Sequence, residues 1–169
     1  MRILGIDPGS RLTGFGVVDY ADDAGAYVAS GAVRCADGDF PTRLRLIFDS
    51  ITEIVVEHRP DVVAIESVFV SRNAGSALKL GHARSAAICA TFSSDIDVFE
   101  YSPREIKQAV VGTGGASKEQ VQHMVVSLLG LDGAPSTDAA DALATALCHA
   151  LQNRLQARLT ANAAVVAAR

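Results

Sequence analysis

Two short apolar runs, Arg2-Ile3-Leu4-Gly5-Ile6 and Asp61-Val62-Val63-Ala64-Ile65, each end on a carboxylate, Asp7 and Glu66. The first run reads as a buried strand, closed at once by Pro8-Gly9, which cannot continue it. The second is apolar without alternation, the pattern of a strand buried on both faces in a parallel arrangement. A carboxylate at the end of such a strand lowers strand propensity and needs a partner if buried. An Asx turn capping the strand would explain Asp7 by itself. Acids closing two separate apolar runs, with another acidic pair opening a late helix, raise the question of whether these carboxylates meet.

Two further strands follow the first run, the last of them alternating from Ala26 to Cys35. Thr13-Gly14-Phe15-Gly16-Val17-Val18 reads as a second strand, with glycines where the backbone must kink or pass close to a neighbour. Residues 20–25 form a polar turn, and Ala26 to Cys35 a third strand, giving an antiparallel meander. Gly14-x-Gly16 is not a nucleotide loop, since no strand-loop-helix or Gly-Lys-Ser/Thr follows. The rhythm then changes to helical spacing. Leu44, Ile47, Phe48, Ile51, Ile54 and Val55 define a helix ending before Pro60, and residues 74–92 a helix rich in small side chains. Val98-Phe99-Glu100-Tyr101 is a fifth strand, followed by a short helix from Arg104 to Val110 and a glycine loop at 112–115. Ser117-Lys118-Glu119-Gln120 is a capping box for a helix that Gly130 closes. Ser136 or Thr137 caps the last helix, expected from about Asp138 to Leu151 or beyond. The expected domain is residues 1–157, with 158–169 a frayed tail. This order implies an α/β fold in which the meander is extended by two parallel strands through helical crossovers, with helices on both faces. The first, fourth and fifth strands are expected to lie side by side at the sheet centre, which places Asp7 beside Glu66.

At 169 residues and 49% hydrophobic, the chain suits one domain with a substantial core. No run is long enough to cross a bilayer and no signal-peptide pattern opens the sequence, so a cytoplasmic protein is expected. Cys35, Cys89 and Cys148 are far apart and without a CxxC pair, which argues for reduced thiols and against zinc. The formal net charge of -4 is unevenly spread. Residues 19–61 hold nine acids against four arginines, whereas 68–94 and 142–169 hold basic residues and no acid. Such a split suits a protein that grips a polyanion on one side, although an unevenly charged solvated surface gives the same pattern.

Asp138 and Asp141 lie three apart, on one helical face with side chains about 5–6 Å from each other. Carboxylates in a first turn favour the positive end of the helix dipole, a sufficient reason for the pair alone. Together with Asp7 and Glu66 they make four carboxylates, which would repel strongly in a partly dry pocket. A hard divalent cation held through oxygen resolves the repulsion, which points to Mg²⁺ or Mn²⁺. Two such ions about 3.5–4 Å apart can hold a phosphodiester between an activated water and the leaving oxygen. The chemistry that fits is nucleolytic hydrolysis.

Four stretches, GIDPGSRLTGFGVVDY, AIESVFVSRNAGSALKLGHAR, KQAVVGTGGASKEQVQHMV and STDAADALATALCHA, resemble the RuvC family of Holliday-junction resolvases, in its order and spacing, from residue 1 to about 151. The resemblance implies a ribonuclease H-like fold, a homodimer, and Mg²⁺-dependent paired nicking of four-way DNA junctions, with Mn²⁺ able to substitute and two ions per subunit. It implies that Asp7, Glu66, Asp138 and Asp141 are the catalytic metal ligands. It further implies partnership with the RuvA and RuvB branch-migration complex. Ser67 stands where many relatives carry Gln, and Arg72 where Lys is frequent.

Phe69 follows the second carboxylate strand, and the resemblance moves it from core to junction contact; stacking on an unpaired base is worth about 1–3 kcal/mol. Arg72, Asn73, Arg84, Lys107 and Lys118 are the expected phosphate contacts, with Lys79 a weaker candidate. Lys118 opens a helix, where a cation is unfavourable without an anion nearby. His58, His82, His123 and His149 lack ligand spacing and are read as structural or surface residues. Two other enzyme classes share parts of this pattern. A ribonuclease H-like nuclease acting on RNA or RNA–DNA hybrid would carry the same acids, and an actin-like ATPase would carry the Asp7-x-Gly9 turn but needs two domains. A junction-binding scaffold with a dead site is the non-enzyme alternative, and the full set of acids argues against it.

Overall fold

Residues 1–35, 37–67 and 73–167 are described in a computed structural model of the chain. Five strands form one sheet: β1 (Arg2–Asp7), β2 (Leu12–Ala21), β3 (Ala24–Arg34), β4 (Val62–Glu66) and β5 (Asp97–Tyr101), in the order β3-β2-β1-β4-β5. β1, β2 and β3 are antiparallel neighbours, while β4 pairs parallel with β1 and β5 parallel with β4. The expected mixed sheet is present. β5 is an edge strand and not a central one, so β1 and β4 alone are the parallel strands with neighbours on both sides.

The helices are α1 (Phe40–His58), α2 (Ala74–Cys89), α3 (Pro103–Val111), α4 (Lys118–Leu129) and α5 (Thr137–Ala167). Alternation along β1 assigns them to faces. Ile3 packs with α3, α4 and α5, whereas Leu4 and Ile6 pack with α1 and α2 through Ile47, Ile51, Ala83 and Ala87. β4 repeats the rule, with Ala64 on the α5 side and Val63 and Ile65 on the other. By period two, Asp7 and Glu66 project toward α5.

α5 lies almost flush on the sheet because glycines pave its track. A Cβ on Gly5 would meet the backbone of Ala142 and Ala146, one on Gly14 the backbone of Asp138, and one on Gly16 the Leu143 side chain at 2.7 Å. These glycines set the height of the helix above the strands. Leu143 and Leu147 complete the contact, both buried.

α5 continues past Leu151 to Ala167, through most of the tail expected to be frayed. After Pro135 the chain has no Gly or Pro, and its Ala, Leu, Gln and Arg are strong helix formers. α2 stops at Cys89, followed by a single 3₁₀ turn at Phe92–Ser94. The Ser117 capping box is formed, with Gln120 accepting from the Ser117 backbone at 2.8 Å, and Gly130 caps α4 in the left-handed conformation. Cys35 and Cys148 are buried free thiols and Cys89 an exposed one. Among the described residues no helix is long and apolar enough to cross a membrane.

Candidate active site

Ile6 pairs with Ile65 in the parallel register, so Asp7 and Glu66 leave the sheet side by side. The turn after Asp7 is tied by buried Thr13, whose hydroxyl donates to the Gly9 carbonyl at 2.9 Å and accepts from the Gly9 amide at 3.3 Å. Ser67 donates its amide to the Tyr101 carbonyl at 2.8 Å, which fixes the backbone just past Glu66. Tyr101 is itself clamped, its hydroxyl 2.8 Å from Nδ1 of buried His149 on α5. Both acidic strand ends are therefore held from behind.

The first turns of α5 lie over these strand ends and carry Asp138 and Asp141. Asp7, Glu66 and Asp141 line one cleft of about 190 Å³ with Pro103, Ile106, Lys107, Lys118 and Val121. Asp138 does not line this cleft, although its charge acts on Asp7. Burial, followed by the charges of Glu66 and Asp141, pushes the Asp7 carboxyl up to about 7 from an ordinary 3.8. Burial and then Asp141 raise Glu66 in the same direction, opposed by Lys118 and Lys107. These are the signs of acids forced together in a poorly hydrated place.

Lys118, exposed at the start of α4, reaches into the cleft. Its Nζ lies 2.7 Å from Oδ2 of Asp141, and this ion pair raises the lysine further above its usual value. Lys118 is expected from the sequence to meet phosphate, and nothing local in the chain signals this carboxylate partner 23 residues away. Lys107 enters from α3, whose start is fixed by a second capping box between Ser102 and Glu105.

Phe69 and Arg72 lie outside the described residues. Asn73 is the N-cap of α2, its Oδ1 accepting from the Ser76 amide at 3.1 Å. Arg84 forms an ion pair with Glu100 on β5 at 2.5 Å and does not line the cleft. Arg154, from the second acid-free stretch, pairs with Asp23 at 2.7 Å. Cations with no acid nearby in sequence thus find acids across the fold, and the charge split along the chain overstates the basic surface.

Among the described residues, no three acidic, histidine or cysteine side chains stand close enough to hold a metal ion in their present rotamers. The donor set still fits a hard divalent cation. Three carboxylates face one small cleft, two with raised proton affinity, and the side chain that occupies Asp141 is a cation.

Residues 3–149 match the family described as crossover junction endodeoxyribonuclease RuvC. The chain belongs to the RuvC family. Similar relatives that carry this description include one from Alkalilimnicola ehrlichii, 57% identical over 148 residues that cover 88% of this chain and 90% of that one. Another, from Aromatoleum aromaticum, is also 57% identical over 148 residues, with 88% and 80% covered. Among solved structures, Thermus thermophilus RuvC in complex with a Holliday junction substrate superposes with a TM-score of 0.87 at 36% identity, over 92% of this chain and 96% of that one. The yeast mitochondrial Holliday junction resolvase shares the fold at 13% identity and a TM-score of 0.66, over 91% of this chain and 81% of that one. The family and the ribonuclease H-like architecture read from the four sequence motifs are both borne out.

Proposed function

We propose that this RuvC-family chain is a divalent-metal-dependent endonuclease that resolves four-way DNA junctions by paired symmetrical nicks, leaving 5′-phosphate and 3′-hydroxyl ends. The observation that carries the reading is the convergence of Asp7, Glu66 and Asp141 in one cleft, with Lys107 and Lys118 at its walls. Asp7, Glu66, Asp138 and Asp141 would hold Mg²⁺, with Mn²⁺ able to substitute and two ions per subunit. A bound ion of this kind supplies an acidified water as nucleophile and offsets charge on the leaving oxygen. The protein's own contribution is positional. β1 and β4 fix two carboxylates in register, and α5 lowers Asp141 onto them across the glycine track, with Asp138 near enough for its charge to act on Asp7. Lys107 and Lys118 add positive charge where a backbone phosphate would enter, which orients the strand without reading its sequence.

Symmetrical nicking requires two such clefts, so the working unit is a homodimer, handling junctions delivered by RuvA and RuvB. Phe69, a few residues past Glu66 in sequence, would stack on an unpaired base of the junction, and Arg72 would meet a phosphate. The test is Asp7→Asn, assayed on a synthetic four-way junction with Mg²⁺ and in a binding assay. Nicking is expected to vanish while junction affinity persists, because Asn keeps the shape and loses the charge. Nicking at the wild-type rate would refute the site. Wild-type protein offered junction, plain duplex and RNA–DNA hybrid side by side is expected to cut only the junction.

A further inference from the structure

The cleft described above already contains a cation, and it belongs to the protein. Lys118 Nζ sits 2.7 Å from Asp141 Oδ2, and its charge also opposes the raised proton affinity of Asp7 and Glu66. The two partners are held very differently. Asp141 stands on α5, its side chain 18% exposed, anchored by the glycine track beneath. Lys118 is 65% exposed and comes from the first residue of α4 on a flexible four-carbon stem. It can leave without disturbing the core, whereas Asp141 cannot. Lys107 lines the same cleft and takes part in no ion pair among the described residues.

A divalent ion that takes Oδ2 of Asp141, or both its oxygens, therefore competes with the Lys118 ammonium for the carboxylate. The displaced ammonium stands at the mouth of the cleft, where a DNA phosphate would be its next partner. We infer that Lys118 is an exchangeable counter-ion of the carboxylate cluster, holding Asp141 until DNA phosphate draws it outward and frees the carboxylate for the metal. This rests on the reading of the cleft as a metal site. It makes Lys118 a positioning residue that couples metal loading to DNA binding, and by linkage each ligand raises affinity for the other by one common factor. Without DNA the cleft is kept a poor metal site by its own lysine.

The test needs no cleavage. The full-length wild-type chain, Lys118→Met, Lys107→Met and Lys118→Arg are each titrated with Mn²⁺ alone, without DNA, by calorimetry or by the free-ion spin-resonance signal. Both methionine variants remove one positive charge from the same cleft, but only one of them removes the ion pair. Lys118→Met is expected to bind Mn²⁺ about fivefold tighter or more, within the usual range of such couplings. Lys107→Met should gain clearly less, and Lys118→Arg should stay near wild type. Unchanged or weaker binding by Lys118→Met would overturn the inference, and so would an equal gain by Lys107→Met, which would reveal only a general field. Absence of Mn²⁺ binding by every variant would instead sink the metal-site reading itself. Melting curves of the metal-free variants verify that each is folded.

Discussion

Removing the charge of Asp7 is expected to stabilise the metal-free protein while it disables the proposed site. A carboxyl raised from 3.8 to about 7 by burial and by Glu66 and Asp141 holds its proton more tightly folded than unfolded. Below pH 3.8 both states are protonated and no difference arises. Between pH 3.8 and 7 the unfolded chain ionises first, and stability is lost steadily. Above pH 7 the full cost of a desolvated, crowded carboxylate is present, at most about 4 kcal/mol from the two values. Asp7 is only half-buried, so solvent screening leaves roughly half of that, about 2 kcal/mol. Asp7→Asn removes this cost. At pH 8 in a chelator its melting midpoint is expected to rise by about 4–8 °C, using 2–4 °C per kcal/mol for a chain of this size. At pH 4 the gain should nearly disappear. With Mg²⁺ in excess of its dissociation constant the order reverses at pH 8, because ligand binding stabilises wild type by mass action and the variant binds less. Calorimetric melts at pH 4 and 8, with and without Mg²⁺, measure all four corners. Equal or lower stability of Asp7→Asn at pH 8 without metal would refute the claim that Asp7 is crowded by the other acids.

The same physical picture reaches other positions. Gly5→Ala places a methyl against the backbone of Ala142 and Ala146, where no side chain can swing aside, and is expected to cost about 3 kcal/mol in denaturant unfolding, with lost nicking as α5 lifts. Ser117→Ala breaks the capping box that sets the first turn of α4; about 1 kcal/mol is expected, with weaker cleavage because Lys118 follows the cap directly. Burial lowers the proton affinity of His149, so the unfolded state protonates first as pH falls. The stability difference between wild type and His149→Leu is therefore expected to be constant above about pH 6.5 and to shrink below it, by no more than about 1.4 kcal/mol per pH unit. Urea melts between pH 5 and 8 check the slope.

Much of this protein is legible in its sequence because the signals are local. The apolar runs before Asp7 and Glu66, the alternation from Ala26 to Cys35 and the Ser117 capping box each follow from sterics or hydrogen bonding within a few residues. They yield the strands, most helix limits and the family motifs. Parallel pairing of the first and fourth strands then brings Asp7 to Glu66 by register alone, and helical spacing places Asp138 and Asp141 on one face. The end of α5 was less legible, because an Ala-rich tail without Gly or Pro carries no stop signal.

Tertiary structure decided what depends on distance across the fold. It set β5 at the edge, and it left Asp138 outside the cleft that Asp7, Glu66 and Asp141 share. It matched Arg84 to Glu100 and Arg154 to Asp23, two pairings that the linear charge pattern hides. It also delivered Lys118 to Asp141 from another helix. Coulomb attraction acts through space and not along the chain, so the identity of an acid's counter-ion is fixed only when α4 and α5 have docked on the same face of the sheet.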